Sequence, residues 1–201
     1  MAAGFESGLV RAAVGFGRSV ALAALAWALG GLPAGAQAPL VERQSRVEAA
    51  FMRNFARYVT WPPRAFADGA MPWNVCTVDE NHFDASLEQT FQGRLEQGRP
   101  FTVRRAVSPE ALASCHIVFV GAISSSVRRA ALAQLSGLPV LTVGNAPEFL
   151  SEGGVVRLLP GEHIEMSINL DQARRSSLGI PAKLLEVSSE VVEHGSLRRL
   201  R

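Results

Sequence analysis

The side chains best placed to do chemistry in this chain are hydroxyls and amides, with no acid–base pair among them. Gly121-Ala122-Ile123-Ser124-Ser125-Ser126 joins the apolar run 117–120 to a helical pattern. Such a junction aims backbone N–H groups and hydroxyls at one point, and the helix dipole makes that point attractive to an anion. Gly121, Ser124, Ser125 and Ser126 are therefore candidate ligand contacts, and Asn145, just after the next apolar run, is a fifth. The plainer alternative is that a serine caps the helix.

Catalysis has less to work with. His82, His116, His163 and His194 are isolated from one another, and none has a second His or Cys three or four residues away. Cys115 and His116 are adjacent and would point to opposite sides of a strand. Asp79, Glu80 and Glu165 lack a legible base or orienting group. HExxH, GxSxG and the glycine-rich phosphate loops do not occur. The reading is of a protein with no catalytic residues, no metal and no cofactor. The only two cysteines are Cys76 and Cys115, and no CxxC is present. Each lies in or beside a predicted strand. Neighbouring strands about 4.8 Å apart permit a bridge when the register matches, and otherwise leave two buried thiols.

These residues need a scaffold. Residues 45–60 read as a helix, with Val47, Phe51, Phe55 and Tyr58 on one face and Glu48, Arg53 and Arg57 largely on the other. Trp61-Pro62-Pro63 ends it. Strand candidates 73–78, 101–107, 116–120, 139–143 and 155–159 follow. They alternate with helix candidates 83–91, a start at Ser108-Pro109, 126–135 and a turn or two at 146–150. Strands that are apolar throughout, separated by helices, specify a parallel sheet covered on both faces. Residues 163–168 alternate instead, after the turn Pro160-Gly161-Glu162, and so pair antiparallel with the fifth strand. Residues 170–177 and 183–192 close the chain as helices. The expected fold is α/β: a mostly parallel, doubly wound sheet flanked by helices, with an antiparallel edge hairpin.

The N-terminus sets the compartment. Arg11 and Arg18 precede the apolar run 20–32, Pro33 breaks it, and Ala34-Gly35-Ala36 offers a small-x-small cleavage site. The run falls short of the roughly 20 residues that a membrane-spanning helix needs. The expected division is a cleaved secretory signal peptide over 1–36, a flexible mature N-terminus over 37–44, one domain over 45–194 and a basic tail over 195–201. Losing Arg11, Arg18 and Glu6 takes the formal net charge from +2 to +1. That is too near neutrality for a nucleic-acid binder.

Several segments together resemble one family. Residues 47–62, VEAAFMRNFARYVTWP, resemble the opening helix of the YfiR family, and Cys115-His116-Ile117-Val118-Phe119-Val120 resembles its Cys-His strand. Leu141-Thr142-Val143, Phe149, Gly153-Gly154, Ile168-Asn169 and Ile180-Pro181-Ala182-Lys183-Leu184-Leu185 match in order and spacing. Glu48 and Arg53 depart from the pattern, standing where the family often has Lys and an aromatic residue. The resemblance implies a parallel-sheet α/β domain, often a homodimer, whose Cys76 and Cys115 can pair. It implies a periplasmic regulator and not an enzyme. Such a protein would bind the periplasmic part of an inner-membrane diguanylate cyclase and hold it inactive. An outer-membrane lipoprotein that sequestered the repressor would raise cyclic di-GMP and biofilm formation.

A repressor of this kind needs an apolar contact patch. Tyr58, Trp61 and Phe66 are the candidates, with core packing as the alternative for each. The competing function is a periplasmic small-ligand sensor that uses the loops around Ser124 and Asn145 and feeds a histidine kinase or a transport system.

Overall fold

A first helix, α1 (Ala38–Tyr58), lies across one face of a nine-stranded sheet. The computed structural model describes residues 38–79, 82–83, 85–105, 108–121 and 123–200; the expected signal peptide lies outside these. Residues 38–44, expected to be flexible, form the first turns of α1.

The strands are β1 (Trp73–Thr77), β2 (Leu95–Glu96), β3 (Arg99–Arg104), β4 (Ile117–Val120), β5 (Leu141–Gly144), β6 (Val156–Leu159), β7 (Glu165–Asn169), β8 (Glu190–Glu193) and β9 (Ser196–Arg199). Their order in the sheet is β2-β3-β1-β4-β5-β6-β7-β8-β9. The centre, β3-β1-β4-β5-β6, is parallel throughout. The pairs β2–β3, β6–β7 and β8–β9 are antiparallel, and β7–β8 is parallel. The helices α2 (Ser86–Phe91), α3 (Ser125–Leu135), α4 (Leu170–Arg175) and α5 (Ala182–Glu186) complete the domain, with 3₁₀ turns at Pro63–Ala65 and Pro109–Ser114.

Alternation along the strands divides the core in two. Trp73, Val75, Ile117, Phe119, Leu141 and Val143 face α1, α2, α4 and α5. Cys76, Val118 and Val120 face α3 and the turn carrying Leu112. Both faces of the parallel strands are thus covered, as uniformly apolar strands require. On the second face the Phe149 ring lies against two glycines. A Cβ on Gly154 would stand 2.1 Å from that ring, and one on Gly144 2.5 Å, which explains why both positions lack a side chain.

Helix α1 is turned relative to the expected face. Glu48, Ala49, Met52, Phe55 and Ala56 are fully buried, while Val47 is 43 % exposed and Tyr58 37 %. Apolar spacing alone favoured the stripe through Val47 and Tyr58. The helix instead buries a carboxylate that has partners, and the next section names them.

The C-terminal reading is corrected. The β6–β7 pairing has the expected antiparallel sense, but the hairpin is interior, because β8 and β9 continue the sheet beyond it. The expected helix over 183–192 stops with α5 at Glu186, and the expected basic tail is strand β9. His194 and Gly195 connect β8 to β9 with φ of +52° and +71°, the left-handed pair of a two-residue hairpin turn. The Asp171 carboxylate accepts from both backbone N–H groups, at 3.0 Å from His194 and 2.7 Å from Gly195. Those bonds, Gly195's foremost, hold its pKa below the usual carboxylate range. Asp171→Ala is expected to speed amide exchange at His194, Gly195 and the β8–β9 ladder while leaving β4 and β5 protected. Hydrogen exchange read by NMR checks this.

Candidate functional site

The strands β1, β4 and β5 run parallel and end on one edge of the sheet. From β1 the chain passes to β3 on one side and then returns to lay β4 on the other. The order therefore reverses beside β1, and in doubly wound sheets such a reversal opens a crevice at the strand carboxyl ends. Phe119 fills the middle of this edge from β4, and the buried half of α1 roofs it through Glu48.

Glu48 is the centre of a buried polar cluster. Its side chain is wholly inaccessible, and each oxygen has a partner. Gln44 Nε2 donates to Oε1 at 3.1 Å and Asn145 Nδ2 to the same oxygen at 3.3 Å. His82 Nε2 meets Oε2. The His82 ring stacks on Phe119, centroids 4.6 Å apart, with Phe83 edge-on at 4.7 Å. One carboxylate thus joins three places far apart in the chain: α1, the segment after β1 and the end of β5. Burying it is feasible because hydrogen bonds replace the water it gives up.

The five predicted ligand contacts fall into two groups. Gly121 and Asn145 belong to the edge just described, beside Asp79 and Glu48. Ser124, Ser125 and Ser126 are exposed at the start of α3. Ser124 occupies the cap position without a side-chain capping bond, and its hydroxyl lies 3.2 Å from that of Ser126. The buried carboxylate beside Asn145 disfavours an anion there. Sequence reading missed Glu48 and His82 because their partners lie 34 and 97 positions away from Glu48. Glu48 alone carried a signal, as an acidic residue where the resemblance called for Lys.

Cys76 and Cys115 form a disulfide, Cα–Cα 6.1 Å, buried on the face covered by α3. It ties β1 to the segment entering β4. His116, next along, is also buried. Its Nδ1 accepts from the Asn74 N–H at 3.0 Å, so its Nε2 carries the proton donated to the Ala65 carbonyl at 2.9 Å. Burial lowers its pKa, and it is a neutral strut.

Of the three predicted partner contacts, Tyr58 is exposed. Trp61 packs edge-on to Trp73 inside the core. Phe66 is half-buried, stacked on His116 at 4.4 Å with the Arg99 guanidinium 4.2 Å from its ring centre. Tyr58 borders a small apolar pocket of about 170 Å³ lined by Phe51, Phe55, Met166, Leu184 and Val187. Among the described residues, no three His, Cys, Asp or Glu side chains are grouped to hold a metal ion, and no helix is long and apolar enough to cross a membrane.

A doubly wound α/β domain, disulfide-tied at its centre and with a buried polar cluster at its switch point, is the class of protein this geometry defines. The chain belongs to the YfiR/HmsC-like family, which it matches over residues 45–189. The family is one of regulatory proteins. Among solved structures, the ABC domain in complex with L-Trp from Streptococcus pneumonia is similar at 12 % identity and a TM-score of 0.45. The alignment covers 76 % of this chain and 60 % of that one. The chain thus spans less than two thirds of that protein's length.

Proposed function

We propose that this protein is exported with cleavage near Ala36, acts in the periplasm, and binds the periplasmic part of an inner-membrane diguanylate cyclase so as to hold it inactive. The supporting observation is the family match across nearly all of the described domain. Binding alone suffices for such a role. A repressor must prefer the inactive form of its target, since equal affinity for both forms shifts nothing. A preference of about 3 kcal/mol shifts the equilibrium roughly 150-fold.

The surface supporting that preference is the outer side of α1 with the start of the segment after α5. Tyr58 and Val187 are exposed at the pocket that Phe51 and Leu184 line, and Val47 is exposed one turn earlier on α1. Large side chains on such a surface supply most of the binding energy when they become desolvated. A homodimer is part of the proposal, as is relief of inhibition by an outer-membrane lipoprotein that competes for the repressor.

Deleting the gene is expected to raise cyclic di-GMP and surface attachment several-fold. Complementation with Tyr58→Asp or Val187→Asp, each at an exposed position, should fail to restore the low level although the variant protein folds and accumulates. Unchanged cyclic di-GMP in the deletion strain would overturn the proposal.

A further inference from the structure

We propose that the hollow between α1 and the turn entering β2 is a binding site for a doubly charged phosphate group, free or carried as a small monoester, gripped by Arg53 and Arg94. Arg53 and Arg57 stand one turn apart on α1 and so share a face of that helix. Arg94 comes from the segment between α2 and β2. With Gly93, Leu95 and Glu96 the three arginines line a hollow of about 360 Å³. A water molecule takes about 30 Å³ of liquid, so the hollow admits a phosphate group with a short organic part.

Both walls are held in place by the fold itself. Trp73 Nε1 donates to the Glu96 carbonyl at 3.0 Å, and Gln97 Nε2 donates to the Ala56 carbonyl at 3.1 Å. The second bond ties the β2–β3 turn directly to α1. The Arg94 N–H donates to the Phe91 carbonyl at 3.1 Å, and Gly93 makes the bend before it at a φ of +66°. A Cβ at Gly93 would meet nothing within 4 Å, so the turn borders open space.

The charges lining the hollow do not balance. Arg57 Nε meets Glu96 Oε2 at 3.3 Å, and that pair cancels. The side chains of Arg53 and Arg94 have no ion-pair or hydrogen-bond partner among the described residues, although Arg53 is half-buried. Arg105 and Arg157 are half-buried as well, and each holds a carboxylate. The surplus at the hollow is thus two positive charges, which a dianion cancels and a monoanion only halves. Phosphate oxygens suit the guanidinium fork, which donates to them in pairs. Exposed Leu95 at the rim offers an organic substituent apolar surface to rest on. The inference goes beyond the regulator reading and does not depend on it, because it is measured on the purified protein whatever happens to the cyclase.

Calorimetry and thermal shift on the purified exported protein test it. The probes are inorganic phosphate, glycerol 3-phosphate and phenyl phosphate at about pH 8, where a phosphate monoester carries both charges. Dimethyl phosphate and acetate, each with a single charge, serve as contrasts at matched ionic strength. We expect saturable binding of the dianions with a rise in Tm. Arg53→Gln and Arg94→Gln should each bind about fivefold more weakly, through loss of a charged donor, with an unliganded Tm near that of the parent. Glu96→Gln removes the carboxylate lining the hollow and should tighten binding about twofold. Arg129→Gln, an exposed change on α3 across the sheet, should leave affinity unaltered. Tighter binding of a monoester marks an organic phosphate as the occupant, and tighter binding of inorganic phosphate marks the free ion; both uphold the site. The proposal is overturned by no saturable response to any of the dianions or by an equal response to dimethyl phosphate. Parent-like affinity in Arg53→Gln or Arg94→Gln, no gain in Glu96→Gln, or an equal loss in Arg129→Gln also overturns it.

Discussion

Replacing Cys76 and Cys115 together by alanine is expected to lower the stability of the domain by about 4 kcal/mol. The bridge joins residues 39 positions apart. In the chain-entropy account, closing a loop of about that length removes roughly 4 kcal/mol of freedom from the unfolded chain. The folded side is affected less, because both positions lie in a well-filled apolar cluster with Leu112, Val118 and Leu135. Urea unfolding should show a lower midpoint for the variant, and the parent protein in excess dithiothreitol should show a loss of similar size. A variant with the parent's midpoint would mean that the unfolded ensemble is already compact over residues 76–115.

The second large effect is expected at Arg128. This arginine is buried on α3, and its Nη2 donates to Glu152 Oε1 at 2.8 Å, its Nε to Glu152 Oε2 and its Nη1 to the Ile123 carbonyl at 2.7 Å. Glu152 is nearly as inaccessible. Arg128→Met leaves that carboxylate buried without its partner and should cost about 3 kcal/mol. This is the low end for such a loss, since the pair lies close under the surface with exposed Glu148 3.8 Å away. The double variant Arg128→Met/Glu152→Leu should recover most of the loss, because it strands no charge.

Acid should act on the same pair. The hydrogen bonds from Arg128 hold the Glu152 pKa below its ordinary value. A carboxylate with a lowered folded pKa contributes stability that is full above the unfolded pKa, about 4.3, and is lost as the pH falls through the folded one. Denaturation midpoints between pH 7 and pH 3 should therefore fall more steeply below pH 4.5 in the parent than in the double variant.

Much of this architecture is legible in the chain. β1, β4, β5 and β6 are short apolar runs bounded by turn residues, and β7 betrays itself by alternation. What escaped reading was made by backbone geometry or by distant partners. β2 and β9 are brief and polar. Each is created by a two-residue turn, Gln97-Gly98 or His194-Gly195, with both residues at positive φ. Non-glycine residues reach that conformation at a small cost, so Gln97 and His194 announce nothing locally. Spacing alone misplaces the buried face of α1, because Glu48 reads as a solvent residue until His82 and Asn145 are beside it. The disulfide stood as one of two open outcomes, since pairing depends on which strands are neighbours, and the order β3-β1-β4 decides that. Sequence alone groups the serines after β4 with Asn145 in one site, whereas α3 carries them to the exposed side.

The late position of β8 and β9 in the chain has a consequence for damaged copies. A molecule clipped ahead of Glu190 would retain the parallel centre and its bridge, yet the flank of β7 would stand open, with Ser167, Ile168 and Asn169 deprived of their mates. An uncovered strand of that kind is a template for other chains. Proteolytic removal of the chain from Glu190 onward would thus turn the domain into a seed for clumping.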